Sequence, residues 1–283
     1  MSLIEALWEF DFIRYSFLSG MLIGILAPLI GTFIVVRRLS LIADALSHVT
    51  LGGIAFGMLL SKLIAVTINP VWTGILFSIT GSLLIEKLRS LYKHYQELAI
   101  PIIMSFGIGL SVIFISFADG FNQDLFGYLF GSISAVTLND VFIILAIFVL
   151  VLVFIFVLYK ELFILSFDEE YAAIIGVPKH VHILFMLMVA LVISASMRVV
   201  GILLVSSLIT LPVASAMRFA KGYKQLMLWS VVIGECSVLI GLIIAFYLDI
   251  SPGGVIVMLL VLVLLFALSI SNMKEKGGIS NEY

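Results

Sequence analysis

The sequence predicts an all-α protein, a polytopic bundle of transmembrane helices, and three observations carry that prediction. Of 283 residues, 63% are hydrophobic and only 11% are charged, against roughly 25% charged in a soluble domain. The apolar residues gather in runs of about 20, the length that carries a helix across a bilayer. Basic clusters recur between alternate runs, the pattern of cytoplasmic loops. Together these predict a single membrane domain, residues 1–283, with about nine spans, or eight if one run is re-entrant.

The N-terminal stretch MSLIEALWEFDFIRYSF is acidic where a signal peptide is basic, and no small-residue cleavage site precedes the first long apolar run. It reads as a retained amphipathic lead-in. The first span is Tyr15–Val36, closed by Arg37 and Arg38, and the second is Leu41–Leu60. Small residues in the second, Gly52, Gly53, Ala55 and Gly57, allow close backbone approach and predict a central position in the bundle. Spans three and four are Ile64–Ile85 and Leu98–Ala118. Between them EKLRSLYKHYQE carries Lys87, Arg89 and Lys93 and belongs in the cytoplasm, with His94 a solvated loop residue. Asp119–Asp124 and the Gly/Ser-rich Phe126–Ser134 read as outer segments, the latter a turn or short re-entrant piece. Span five is Val141–Tyr159. Val181–Ala216 is too long for one helix and divides near Met197–Gly201, which makes Arg198 an outer surface or gate residue. His180 and His182, two apart on a helix, diverge and read as snorkelling at the inner interface. Arg218, Lys221 and Lys224 return the chain to the inside, Leu226–Tyr247 and Val255–Ile270 complete the spans, and a tail follows from Lys274. The count puts the N-terminus outside and the C-terminus inside.

The chemistry concentrates in LSLIADALSHVTLGGIAFG, Leu39–Gly57. Asp44 and His48 are four apart, so on a helix they share a face at roughly 5–6 Å. An ionised carboxylate inside a membrane helix costs on the order of 2.5–3.5 kcal/mol and usually faces a bundle interior or a water-filled path. Imidazole nitrogen with carboxylate oxygen suits zinc and is tolerable for manganese. The competing reading makes Asp44 the cap of a helix starting near Ala43, with His48 an ordinary core residue. Glu235, in the middle of the Leu226–Tyr247 span, is a second-tier candidate: metal ligand, proton-linked gate or hydrogen-bonded core group.

Other classes are excluded or weakened. A net charge of −2 offers no basic field for nucleic acid. One cysteine, Cys236, permits neither an internal disulfide nor a cysteine metal cluster. The chain has no G-x-x-x-x-G-K-[ST] phosphate loop and no H-E-x-x-H, so ATP hydrolysis, if used, belongs to another subunit.

DALSH followed by LGGIAFG resembles the second-helix signature of the integral-membrane permeases of bacterial ABC-type zinc and manganese importers. Three further stretches are similar to that family's motifs in the expected order: FDEEYAAIIGV at Phe167–Val177, VVGILLVSSLITLPVASA at Val199–Ala216, and DISPGGVIV at Asp249–Val257. The resemblance implies a type II ABC importer-like fold in the bacterial cytoplasmic membrane. It implies a metal path lined by Asp44 and His48, and a cytoplasmic ATPase-docking segment at residues 166–178, with Phe167, Asp168, Glu169, Glu170 and Gly176 as its coupling residues. The implied partners are a pair of ABC ATPase subunits, an extracellular metal-binding lipoprotein or periplasmic protein, and a second permease copy, all within membrane lipid. No permanently bound cofactor is implied; the metal, Zn2+ or Mn2+, is cargo. The flanking text SLIADALSHV and SMRVVGILL looks closer to the zinc branch. A secondary transporter driven by an ion gradient, an intramembrane metalloenzyme, a receptor and a structural subunit remain as competing classes.

Overall fold

The computed structural model describes residues 3–64, 69–92, 94–118 and 123–278. It is helical throughout, with no strand among the described residues. In chain order the helices are α1 (Leu3–Glu9), α2 (Asp11–Val36), α3 (Leu41–Ile64), α4 (Pro70–Leu91), α5 (Ala99–Phe117), α6 (Gln123–Phe130), α7 (Leu138–Val157), α8 (Tyr159–Phe167), α9 (Glu169–Ile174), α10 (Lys179–Ser196), α11 (Ile202–Ala216), α12 (Tyr223–Leu248) and α13 (Pro252–Gly278). Among the described residues, eight helices are long and apolar enough to cross a membrane. The expected span that falls short is the seventh, α11, whose 15 residues reach only about 22 Å at 1.5 Å per residue.

Boundaries follow local chemistry. The third span begins at Pro70 and not at Ile64, because Asn69 caps it, its side chain accepting from the Val71 N–H at 3.1 Å, and proline suits the first helical position. The same helix runs on to Leu91, so Glu86, Lys87 and Arg89 lie within it and not in the expected joint. The predicted outer residues Asp119–Asn122 fall outside the described set. The re-entrant reading of Phe126–Ser134 becomes the short helix α6, ending in a turn at Gly131. Thr137 and Asp140 form a reciprocal capping box that starts α7, an arrangement that satisfies two orphan donors.

Core positions α2, α3, α10 and α11 are the most buried, as the small-residue stripe on α3 predicts. Helix α3 packs mainly against α5 and α4, and α2 mainly against α12. These are seams of small residues: Gly107 of α5 lies under the His48–Val49 backbone, and Gly24 of α2 lies under Glu235. Close backbone approach is the usual source of helix association in lipid.

On the outer face the late motifs meet. Gly201, at φ +89°, sits against the backbone of Leu129–Gly131, where a Cβ would find Gly131 N and Leu129 O at 2.5 Å; glycine answers both the left-handed φ and the approach. Arg198, expected as a surface or gate residue, instead ties this face together. Its Nη1 donates to the Ala135 carbonyl and to Asp140 Oδ2, both at 2.8 Å, and its Nη2 donates to the Tyr128 hydroxyl at 2.6 Å. Because the Asp140 side chain is only 4% exposed, Arg198→Ala leaves a buried carboxylate without its cation, a change costing on the order of 3 kcal/mol. Thermal unfolding of the purified protein in detergent is expected at a clearly lower temperature for this variant; an unshifted transition would contradict the structural role.

Candidate metal path and docking segment

Helix α3 starts at Leu41, with the Ile42 N–H bonded to Leu39 O at 2.9 Å. Asp44 therefore lies within the first turn, past the helix start, and makes no capping hydrogen bond among the described residues. At 1.5 Å per residue the pair sits about 5 and 10 Å into the helix, near the Arg37–Arg38 end. Both side chains are half-buried. Among the described residues neither has a hydrogen-bond or ion-pair partner, so one chain offers one unpaired carboxylate and one unpaired imidazole on a common helical face.

The structure does not bring Glu235 to them. Its Oε2 is buried without a partner and lies against Gly24 of α2, where a Cβ would meet it at 2.5 Å. Among the described residues no group of three or more His, Cys, Asp or Glu is placed to hold a metal ion. A single chain thus offers two candidate ligands, short of the four that zinc prefers.

The FDEEYAAIIGV stretch forms α9 and its flanks. Asp168 caps the helix, accepting from the Tyr171 N–H at 2.8 Å. Glu169 and Glu170 occupy the first turn, where the helix dipole favours acids. Gly176, at φ +87°, ends it with paired bonds, Val177 N–H to Ala172 O at 2.9 Å and Gly176 N–H to Ala173 O at 3.3 Å, the Schellman pattern. Ile174 is 81% exposed, and Tyr171 and Ile175 are exposed beside it. Phe167 is exposed too, with its ring 5.8 Å from that of Tyr223, and Tyr223 in turn lies 5.6 Å from Phe33 of α2.

Glu169 points the other way from Ile174's role as an exposed tip: it joins a charged cluster that sequence reasoning missed. Its Oε1 accepts from Arg37 Nη2 at 2.8 Å and its Oε2 from Arg89 Nη2 at 3.1 Å. His182 Nε2 lies 3.3 Å from Glu169 Oε1, and His182 Nδ1 lies 3.0 Å from Glu86 Oε1. Arg89 also donates to Gln96 Oε1 at 3.1 Å. His182, expected to snorkel, is buried instead, because two carboxylates receive it; exposed His180 keeps the expected position. The i,i+3 pair Glu86/Arg89 was the one local signal of this cluster.

Burial works against ionisation of Glu169, but the charges of Arg89, Arg37 and His182 outweigh it and hold the carboxyl below its usual range. Burial also presses the Arg37 pKa down from its ordinary value. A carboxyl lowered in the folded state stabilises at pH above its unfolded value, about 4.3, and that stability disappears as pH falls through the folded value. Hydrogen exchange across residues 169–176, corrected for intrinsic rate, is expected to show constant protection from neutral pH down to about 5 and loss only below about 4. Loss already near neutral pH would contradict the cluster.

The chain as a whole is similar to known proteins. The probable metal transport system membrane protein of Treponema pallidum (strain Nichols) is 32% identical over 265 residues, 93% of this chain and 97% of its own length. The manganese import system permease protein ScaB of Streptococcus parasanguinis is 34% identical over 256 residues, 90% of this chain and 89% of its own. The solved structure of PsaBC from Streptococcus pneumoniae in complex with Fab superposes with a TM-score of 0.80 at 30% identity, covering 93% of each chain. The profile of the ABC 3 transport family matches residues 9–271, and with a match of that extent the chain belongs to the ABC 3 transport family.

Proposed function

We propose that this permease carries a divalent metal ion inward for an ATP-driven importer, with manganese as the first cargo to test, and that the ion passes Asp44 and His48. The observation that carries the reading is the Asp44/His48 pair: half-buried, unpartnered and one turn apart on a central membrane helix. Intramembrane groups of this kind are retained for function. Two copies about a two-fold axis supply two nitrogens and two oxygens, a symmetry common in oligomers. Water completes the larger oxygen-rich shell of manganese; the same four ligands alone satisfy zinc. Relatives named for manganese import favour the first cargo, and the ligand count favours zinc as the second.

The low position of the pair on α3 makes it an inner gate or release site. The exposed apolar tip of α9, Tyr171, Ile174 and Ile175, supports docking on a separate ATPase pair, and an extracellular binding protein would deliver the ion. Liposomes containing the permease with its ATPase and binding protein are expected to accumulate radiolabelled manganese when ATP is enclosed, and more of it than zinc. Preferential zinc uptake would reassign the cargo. Uptake driven by a proton gradient with permease alone would replace the reading with a secondary transporter.

A further inference from the structure

We propose that Glu169 is a positioning residue that transmits movement of α9 to the α2–α3 elbow, and through it to Asp44, by acting on Arg37 and Arg89 and not on the docked partner. The inference rests on the importer reading.

The geometry supplies a strap. Glu169 opens α9, and its carboxylate bridges Arg37, just past the end of α2, and Arg89, in the last turn of α4. The Arg37 side chain is 4% exposed. Its Nη1 has no partner, and its guanidinium lies over the Phe185 ring at 5.3 Å. If α9 moved away alone, Arg37 would lose the only carboxylate that it contacts among the described residues and would remain buried beside the like charge of Arg89. A buried cation stripped of its counter-ion is strongly disfavoured, so Arg37 follows Glu169.

Arg37 in turn cannot move without the elbow. The Arg38 N–H bonds Val35 O and the Leu39 N–H bonds Ile34 O, both at 3.0 Å, with Arg38 at φ +59°. A non-glycine residue in the left-handed region is disfavoured unless its surroundings hold it there. Two residues beyond Leu39, α3 begins, and Asp44 stands in its first turn. Glu97, which follows α4, is exposed and has no ion pair among the described residues, which makes it the control for loss of a carboxylate charge.

The test uses the full permease, assembled with its ATPase and binding protein in liposomes, and reads manganese moved per ATP hydrolysed. Glu169→Gln, which keeps shape and removes charge, is expected to lower that ratio about tenfold, inside the roughly 5–150-fold span of couplings between sites, with ATPase copurification retained. Arg37→Gln is expected to do the same. The double variant Glu169→Gln/Arg37→Gln is expected to be no worse than either single, the non-additivity of residues acting as one unit; Glu97→Gln is expected to match wild type. An unchanged ratio in Glu169→Gln, additive losses in the double variant, an equal fall of the ratio in Glu97→Gln, or loss of ATPase binding in Glu169→Gln would overturn the proposal.

A second arm needs no cargo. In a Cys236→Ser background, spin labels at Ala173→Cys and Leu41→Cys report the distance from α9 to the start of α3. One narrow distance, kept with and without ATP and broadened by Glu169→Gln, is the expected result. A wild-type distance that changes between nucleotide states, or a Glu169→Gln distribution identical to wild type, would overturn the strap. If no wild-type metal uptake occurs, the importer reading fails, and this arm still decides whether α9 and the elbow move as one body.

Discussion

Asp44→Ala and His48→Ala are each expected to reduce ATP-driven metal uptake by at least the roughly 10–100-fold that loss of even an outer-shell partner of a metal costs, without destabilising the permease. The two halves of this expectation have separate physical origins. On the proposed path between two copies, function falls because each variant removes one ligand from both, leaving two of four. Stability holds because neither side chain has a hydrogen bond or ion pair among the described residues, so deleting either one leaves no buried partner uncompensated. Uptake in liposomes and thermal unfolding in detergent, measured on the same preparations, separate the two. Undiminished uptake would remove the pair from the path and turn attention to Glu235, whose Oε2 is likewise buried without a partner. Normal uptake with reduced thermal stability would make both residues core groups.

The second large effect is expected at Gly53. A Cβ there would meet the Phe77 Cβ and the Thr73 carbonyl oxygen, each at 2.6 Å, so Gly53→Leu must push α4 away from α3. Overpacking of this kind costs about 1–3 kcal/mol or more, and here the two nearest atoms, the Thr73 carbonyl oxygen and the Phe77 Cβ, are ones that no side-chain rotation moves aside. Gly52 is less constrained: its Cβ would reach Ser111 Oγ at 3.3 Å and Gly107 O at 3.5 Å. Gly53→Leu is therefore expected to lower the unfolding temperature and the yield of folded permease well beyond Gly52→Leu. The two lie on adjacent positions of one helix and differ only in what they face. Equal and small effects at both would contradict the tight α3–α4 seam.

Much of this was legible beforehand in particular residues. The Asp44/His48 spacing, the small residues from Gly52 to Gly57 and the acid-rich start of Asp168–Glu170 are local patterns, and helix α3 and the capped α9 carry them as expected. The zinc leaning rested on the count of nitrogen and oxygen ligands and on the residues flanking the motifs; manganese-named relatives now support the alternative at least as well. The span count was ambiguous because hydropathy measures apolarity and not whether a 15-residue run such as α11 completes a crossing.

By itself the sequence determined the membrane class, the all-helical architecture and the order of the helices, because the bilayer demands long apolar runs in which every backbone group is satisfied within its own helix. Tertiary structure alone decided where the charges go. Glu169 meets Arg37 across 132 residues and Arg89 across 80, and Arg198 meets Asp140 across 58. No local pattern announces such pairs: a charge is buried only where a distant partner compensates it, and that partner exists only once the helices have packed.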